Sequence, residues 1–461
     1  MTIRLDVSGM LARAVASGAT AGQLADLGPR LVVAHEELLA DAARGALGFR
    51  ELEAQADERE RVLSWAREEA SRLDDVVVLG IGGSALGAQA LRSALLGREW
   101  NLGDHHRRGG RPRLHVVDNV DPRSVRAILD AVNLPHTRFL VISKSGSTAE
   151  TMSQYLAVRE RLTSLDLPVR EHVAFVTDPW KGVLRRVAAA EGIPAFEVPE
   201  NVGGRFSVLT PVGTLPAALL GMDVGALIAG ATAMRDRCAS GDLRANPALA
   251  FAALQWNAHT HAGQGIHVLM PYSDALREVA PWFVQLWAES LGKRSTAAHQ
   301  KGVGPTPIAA VGATDQHAQV QLFMEGPADK TITFIDVEEH PDELVIPTDG
   351  APAELAYLGG HGFGELLRAE GAATAGALAQ MGRPTMTLSV TRADAWHLGG
   401  LFMFFELATI YAGHLYGVNP LDQPGVELGK QLTYYRFGHP DWKSMRETWD
   451  ALPKSDPAWV L

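Results

Sequence analysis

Residues 139–151 read FLVISKSGSTAET. Phe139, Leu140, Val141 and Ile142 form a short apolar run of the kind found in a buried strand, and Ser143, Lys144, Ser145, Gly146, Ser147 and Thr148 follow it at once. Beyond the turn, Met152, Tyr155, Leu156 and Arg159 recur at helical spacing, which puts a helix start at Ser147 or Thr148. A helix start presents unpaired backbone N–H groups and the positive end of the helix dipole. One Ser or Thr at such a place is ordinarily an N-cap. Four hydroxyls within six residues, beside a lysine and a glycine, exceed what a cap needs and suit a phosphate group.

Outward from this unit the same alternation repeats. Apolar runs at 76–79, 114–117, 139–142, 173–176 and 195–198 alternate with helical patterns at about 85–96, from Pro122, at 148–162 and from Lys181, which predicts a parallel sheet of five strands. Asp121 before Pro122 is an N-cap followed by proline at the first helical position. Residues 1–73 read as mainly helical, and 105–113 as a basic, glycine-rich loop. After Asp223, helical patterns at 224–237, 247–262, 282–291, 365–381 and 396–415 are interspersed with strands at 266–270, 331–337 and 385–390. The second half therefore reads as α/β too, like one fold used twice, without a residue-level repeat. Residues 417–430 read as loop, and the aromatic-rich tail to Leu461 is expected to cover a surface. The expected division is a helical segment 1–73, a first domain 74–221, a second domain 222–430 and a tail 431–461.

A chain of 461 residues has ample core volume for such an arrangement. Its net charge of −11 argues against nucleic acid as a partner, and an anionic substrate would need local positive charge. Cys238, the single cysteine, excludes an internal disulfide and fits a reducing compartment. No apolar run reaches the roughly 18 residues of a membrane span, and the expectation is a cytoplasmic protein.

Two other strand ends carry chemistry. The first strand runs into Gly80, Ile81, Gly82, Gly83 and Ser84, where small residues let backbone approach a ligand. Gly80, Gly82 and Ala85 fit a loose dinucleotide fingerprint, but its ribose-binding acid is missing: Glu99 lies in a loop, and Asp118 is much farther on than the required spacing of about 20 residues. The fifth strand leads into Asn201 to Ser207, where a double-glycine turn delivers Arg205 either to an anion or to a structural salt bridge.

NVGGRFSVLTPVG at 201–213, LDQPGVELGKQ at 421–431 and WFVQLWAESLGK at 282–293, supported by GIGGSALG, ISKSGSTAET and ATDQHAQ, together resemble the glucose-6-phosphate isomerase (phosphoglucose isomerase) family in its shorter bacterial form. The resemblance covers nearly the whole chain. Leu421 stands where the family usually has Phe or Tyr, and Pro424 replaces a common aromatic; neither position has chemical duties. The resemblance implies two sugar-isomerase α/β domains, each a five-stranded parallel sheet sandwiched by helices, with helical extensions at both ends. It also implies a homodimer acting on a sugar phosphate, with no cofactor and no metal. Residue by residue, it implies Ser143, Ser145, Ser147 and Thr148 as a phosphate cradle with Lys144 beside them, and Gly83 and Ser84 lining the sugar. Arg205 resembles the arginine facing the reacting carbons, Glu289 the catalytic base, Gln285 and Gln423 substrate contacts, and His317 and Lys430 a ring-opening pair, with His317 reaching the active site of the partner subunit.

These residue types suit the reaction. Moving a proton between adjacent carbons through an enediol(ate) needs one base that gives back what it takes and a positive group over the developing oxyanion. Gln285 and Glu289 share a helix face one turn apart. Trp282, Phe283, Leu286 and Trp287 are expected to wall the carboxylate, an environment favouring the protonated form that a reusable base must visit. Arg205 keeps its charge at any working pH. Histidine serves as acid or base near neutrality; either Asp315 or Gln316 is expected to orient His317. Metal catalysis finds no support: His105-His106 and His259-Thr260-His261 lack an acid and a third histidine at workable spacing. Two alternatives remain at this level, an isomerase that also accepts mannose 6-phosphate, and a non-catalytic sugar-phosphate-binding regulator. The second does not need Glu289, Arg205, His317 and Lys430 together, and no DNA-binding segment is visible.

Overall fold

The computed structural model describes residues 2–294 and 302–461. Its strands are β1 (Ile3–Asp6), β2 (Asp75–Leu79), β3 (Arg113–Val117), β4 (Thr137–Ile142), β5 (Val173–Thr177), β6 (Ala195–Glu197), β7 (Ile266–Pro271), β8 (Thr306–Ala309), β9 (Lys330–Val337) and β10 (Thr385–Val390).

The first sheet has the order β3-β2-β4-β5-β6, all parallel. Its middle strands read as unbroken apolar runs because both faces are covered. Val76, Val78, Leu140 and Ile142 enter the main core on one face. Val77, Leu79, Phe139 and Val141 meet Tyr155, Val158, Leu162 and Leu184 on the other, the two-residue alternation of a strand. The chain winds outward from β2 in one direction to β3 and in the other to β4. The crevice at the carboxyl ends of β2 and β4 is therefore the topological switch point, where open α/β sheets bind ligands.

The second sheet, β1-β10-β9-β7-β8, repeats this winding for its four parallel strands. Its fifth strand corrects the expectation of five parallel strands: β1 comes from the amino-terminal segment and pairs antiparallel with β10, Ile3 opposite Val390. Four residues with a partner so far along the chain leave no local signal of a sheet. The rest of that segment is helical as expected, in Ala21–Ala43 and Ala56–Glu69, the first opened by a Thr20 and Gln23 capping box.

Helix Ala395–Tyr416 is the spine of the molecule. Its length and apolar character would suit a membrane span, but 94% of its most apolar stretch is buried inside the protein. Helices Ala21–Ala43, Val224–Arg237, Pro247–Ala262 and Val279–Leu291 pack around it, with Phe402 against Trp282 and Phe405 against Phe283. This helix therefore offers no free apolar surface for a dimer. Two of the most exposed aromatics lie in the tail, where Phe437 and Trp459 are more than four-fifths exposed; Trp180 and Tyr357 are exposed elsewhere. From Phe437 onward the tail lies open, and within 417–430 the loop reading gives way from Glu427 to a helix, Glu427–Arg436.

A carboxyl group interrupts the apolar spine. Glu406 is fully buried, neither carboxyl oxygen has a hydrogen-bond partner, and burial lifts its pKa well above the usual carboxylate range. Since the folded state holds the proton more tightly than the unfolded chain, the contribution of Glu406 to stability is greatest below the ordinary carboxylate pKa. It falls as pH rises toward the folded value, by about 1.4 kcal/mol per pH unit in that window. Glu406→Gln has no proton to lose. Its denaturant midpoint is expected to exceed that of the parent at pH 8 and to approach it at pH 4; parallel pH profiles for the two proteins would show that Glu406 does not carry this proton.

Candidate active site

Three loops leave the carboxyl edge of the first sheet and meet one helix of the second half. After β4, Ser143 Oγ lies 3.0 Å from Thr148 Oγ1 and 3.5 Å from Ser145 Oγ, and Ser145 Oγ lies 3.4 Å from both Thr148 Oγ1 and Ser147 Oγ. Thr148 is the N-cap of helix Ala149–Thr163, yet its side chain makes no capping bond. The four hydroxyls therefore converge on one another at a helix start whose backbone N–H groups remain to be satisfied, the arrangement that suits a phosphate.

Lys144 does not join them. Its ammonium donates to the carbonyls of Glu200 and Val202, both at 2.8 Å, and burial lowers its pKa. It ties the cradle loop to the loop that carries Arg205.

That loop and the turn Gly82–Ser84 after β2 touch backbone to backbone. A Cβ on Gly83 would stand 2.2 Å from the Gly204 carbonyl oxygen, so only glycine fits. Gly82 has φ +57°, in the left-handed region that favours glycine, and a Cβ there would displace the end of the Gln285 side chain, whose Nε2 would lie 2.6 Å away.

Arg205 is 4% exposed, and four of its five N–H donors make hydrogen bonds. It donates from Nε to Ser290 Oγ (2.7 Å), from Nη1 to Gln423 Oε1 (2.7 Å), and from Nη2 to the carbonyls of Asp422 (2.9 Å) and Pro420 (2.5 Å). Burial lowers the guanidinium pKa, with Glu289 and then Asp422 opposing. Glu289 Oε2 lies 3.6 Å from Nη1, and Oε1 accepts from Gln285 Nε2 at 3.1 Å. Gln285 and Glu289 thus share a face of helix Val279–Leu291, as the spacing requires. The apolar wall does not materialise: Trp282, Phe283 and Trp287 turn into the core against Phe402, Phe405 and Phe251. What faces the carboxylate is an amide and a guanidinium.

The ring-opening residues stand apart. His317 is exposed, in the turn Thr314–His317, with no hydrogen-bonding partner among the described residues. Neither candidate orients it: Asp315 accepts from Val311 N and Gln319 Nε2, and Gln316 accepts from the Tyr272 hydroxyl. Lys430, half-exposed on Glu427–Arg436, pairs with Glu427 at 2.9 Å. Its helix nevertheless reaches the cradle, where the Tyr434 hydroxyl lies 3.5 Å from the Ser147 carbonyl oxygen. The crevice is open. A cavity of about 410 Å³ lined by Tyr272, Asp336, Arg368 and Thr387 lies in the second half and contains none of these residues.

A family model for phosphoglucose isomerase matches residues 53–453. The chain belongs to the phosphoglucose isomerase family. It is 44% identical over 436 residues to a glucose-6-phosphate isomerase of Rubrobacter xylanophilus, covering 93% of this chain and 97% of that one. A crystal structure of a hypothetical protein from Thermus thermophilus superposes with a TM-score of 0.84 at 36% identity, over 95% of this chain and all of that one. A glucose-6-phosphate isomerase of Chlamydia trachomatis shares the fold, with a TM-score of 0.73 at 24% identity over 86% and 77% of the two chains. As a member of the phosphoglucose isomerase family the chain is an isomerase, and its site includes residues that sequence reasoning did not single out. Ser290 and Lys293 sit within the stretch quoted for Glu289, but Ser290 meets Arg205 and Lys293 meets Asp422, partners brought close only by the fold.

Proposed function

We propose that this isomerase interconverts glucose 6-phosphate and fructose 6-phosphate. The observation that carries the reading is the Glu289 carboxylate held 3.6 Å from the buried Arg205 guanidinium, beside a switch-point loop with four clustered hydroxyls. Ser143, Ser145, Ser147 and Thr148, with the backbone at the start of Ala149–Thr163, hold the phosphate; Gly83, Ser84, Gln285 and Gln423 line the sugar. In the open-chain aldose, Glu289 takes the C2 proton, electron density moves to the C1 oxygen, and Arg205 stabilises the oxyanion of the resulting cis-enediol(ate). Glu289 then returns its proton to C1 as C2 becomes the carbonyl, and the proton leaving O2 passes to the O1 oxyanion, so the ketose forms with no net change of atoms or charge. The same carboxylate serves both carbons because they are adjacent.

Cyclic substrate must open first. We assign this to His317 and Lys430, with His317 of the partner subunit supplied across a homodimer interface. The exposure of His317 and of the tail aromatics supports that reading. Sedimentation at micromolar concentration giving the mass of a single chain would remove it. A coupled assay on fructose 6-phosphate, with and without chelator, tests the activity as a whole, and comparison with mannose 6-phosphate tests its breadth.

The cradle makes its own prediction. Phosphate contacts are made alike in ground and transition states, so their loss raises KM more than it lowers kcat. Ser145→Ala with Thr148→Val is expected to raise KM for fructose 6-phosphate at least tenfold, with kcat reduced severalfold at most. An unchanged KM would withdraw the phosphate assignment.

A further inference from the structure

Three of the four hydrogen-bond acceptors around Arg205, namely the Pro420 carbonyl, the Asp422 carbonyl and Gln423 Oε1, come from one irregular stretch after the spine helix. What holds that stretch against the catalytic helix is Lys293. Its side chain is only 8% exposed, and its ammonium donates to the Glu289 carbonyl (3.0 Å) and the Asp422 carbonyl (2.5 Å) and pairs with Asp422 Oδ1 (3.0 Å). All three ammonium donors are thereby used. The other carboxylate oxygen, Oδ2, accepts from Asn419 Nδ2 at 3.0 Å, and Asn419 Oδ1 accepts from Leu421 N. Glu289 is two residues from the end of Val279–Leu291, where carbonyls lack helical partners and a cation is favoured. The ammonium therefore caps the very turn that carries the proposed base.

We infer that Lys293 and Asp422 form a clasp that sets the position of Arg205 relative to Glu289, making both positioning residues for proton transfer. The inference rests on the isomerase reading of the site and adds to it. With the clasp closed, one ammonium joins the backbone of Glu289 to a backbone carbonyl that Arg205 binds, so base and oxyanion partner are referred to the same atom. With it open, Arg205 keeps Ser290 and its charge but loses the fixed orientation of its Nη2 acceptors. A displacement of about 1 Å at a reacting centre can cost about 10²-fold in rate. Substrate affinity is set chiefly by the hydroxyl cradle, which neither residue touches, so the effect belongs in kcat.

The test uses Lys293→Met, Asp422→Asn and the double variant, assayed on fructose 6-phosphate with thermal midpoints measured alongside. Asp422 is half-exposed, so Asp422→Asn keeps the test open even where Lys293→Met fails to fold. Each single variant is expected to lose about 10- to 100-fold in kcat with KM within threefold of the parent. The double variant is expected to be no worse than Lys293→Met alone, since that substitution removes every bond of the clasp, whereas Asp422→Asn weakens only its ion pair. A folded variant with parental kcat, a loss appearing in KM alone, or independent losses that multiply in the double variant would each overturn the inference. A parent protein inactive on fructose 6-phosphate would instead overturn the functional reading, so the two failures are distinguishable.

Discussion

Glu289→Gln is expected to lower kcat by about 10³- to 10⁴-fold while binding of a competitive sugar-phosphate inhibitor changes little. The substitution keeps the side-chain length and leaves an oxygen to accept from Gln285 Nε2, so the crevice retains its shape. It removes the only carboxylate that the structure places against Arg205 among the described residues. Arg205 remains held by four neutral acceptors, and no collapse is expected from the unpaired charge. The decisive measurement is exchange of the substrate C2 proton with solvent. If Glu289→Gln exchanges it at the parental rate, the base is another group.

Arg205→Lys is expected to cost about 10²- to 10³-fold in kcat, the range for removing one preorganised donor from a developing oxyanion. Lysine keeps the charge in principle, but not the planar fork that serves Ser290, Gln423 and two carbonyls at once. Several of these acceptors would be left buried without a donor, adding a stability loss of about 1–3 kcal/mol. A variant within tenfold of the parent in kcat, at equal folded fraction, would mean that the oxyanion is stabilised elsewhere.

What could be read from the sequence, and what could not, follows from the range of the interactions involved. β2 to β6 are legible because each is a short apolar run ended by turn chemistry, and the hydroxyl cluster because its members are consecutive. β8 contains Pro307 and spans only four residues, too little for a pattern, and β1 declares itself only through β10. The helix Glu427–Arg436 is masked by Pro424, Gly425 and Gly429, all poor helix formers around its start. The surroundings of Glu289 are misjudged for another reason. Its helix is apolar enough that every aromatic looks available to the carboxylate, whereas packing against the spine takes them away. Periodicity places Gln285 beside Glu289, but nothing local announces that Lys293 will find Asp422 or that Asp315 will fold back on its own turn.

The antiparallel edge strand β1 has a further consequence, in the order of biosynthesis. Ile3 pairs with Val390, so at a translation rate of about 5–20 residues per second β1 waits roughly 20–80 s for its neighbour to be made. The first sheet takes all five of its strands from residues up to Glu197, so its strands can pair long before. During that interval β1 is an unpaired strand on a growing chain, a state prone to wrong pairing, which its Arg4 and Asp6 charges discourage. A full-length chain diluted from denaturant meets no such interval, so its route to the native state differs from that of the nascent chain.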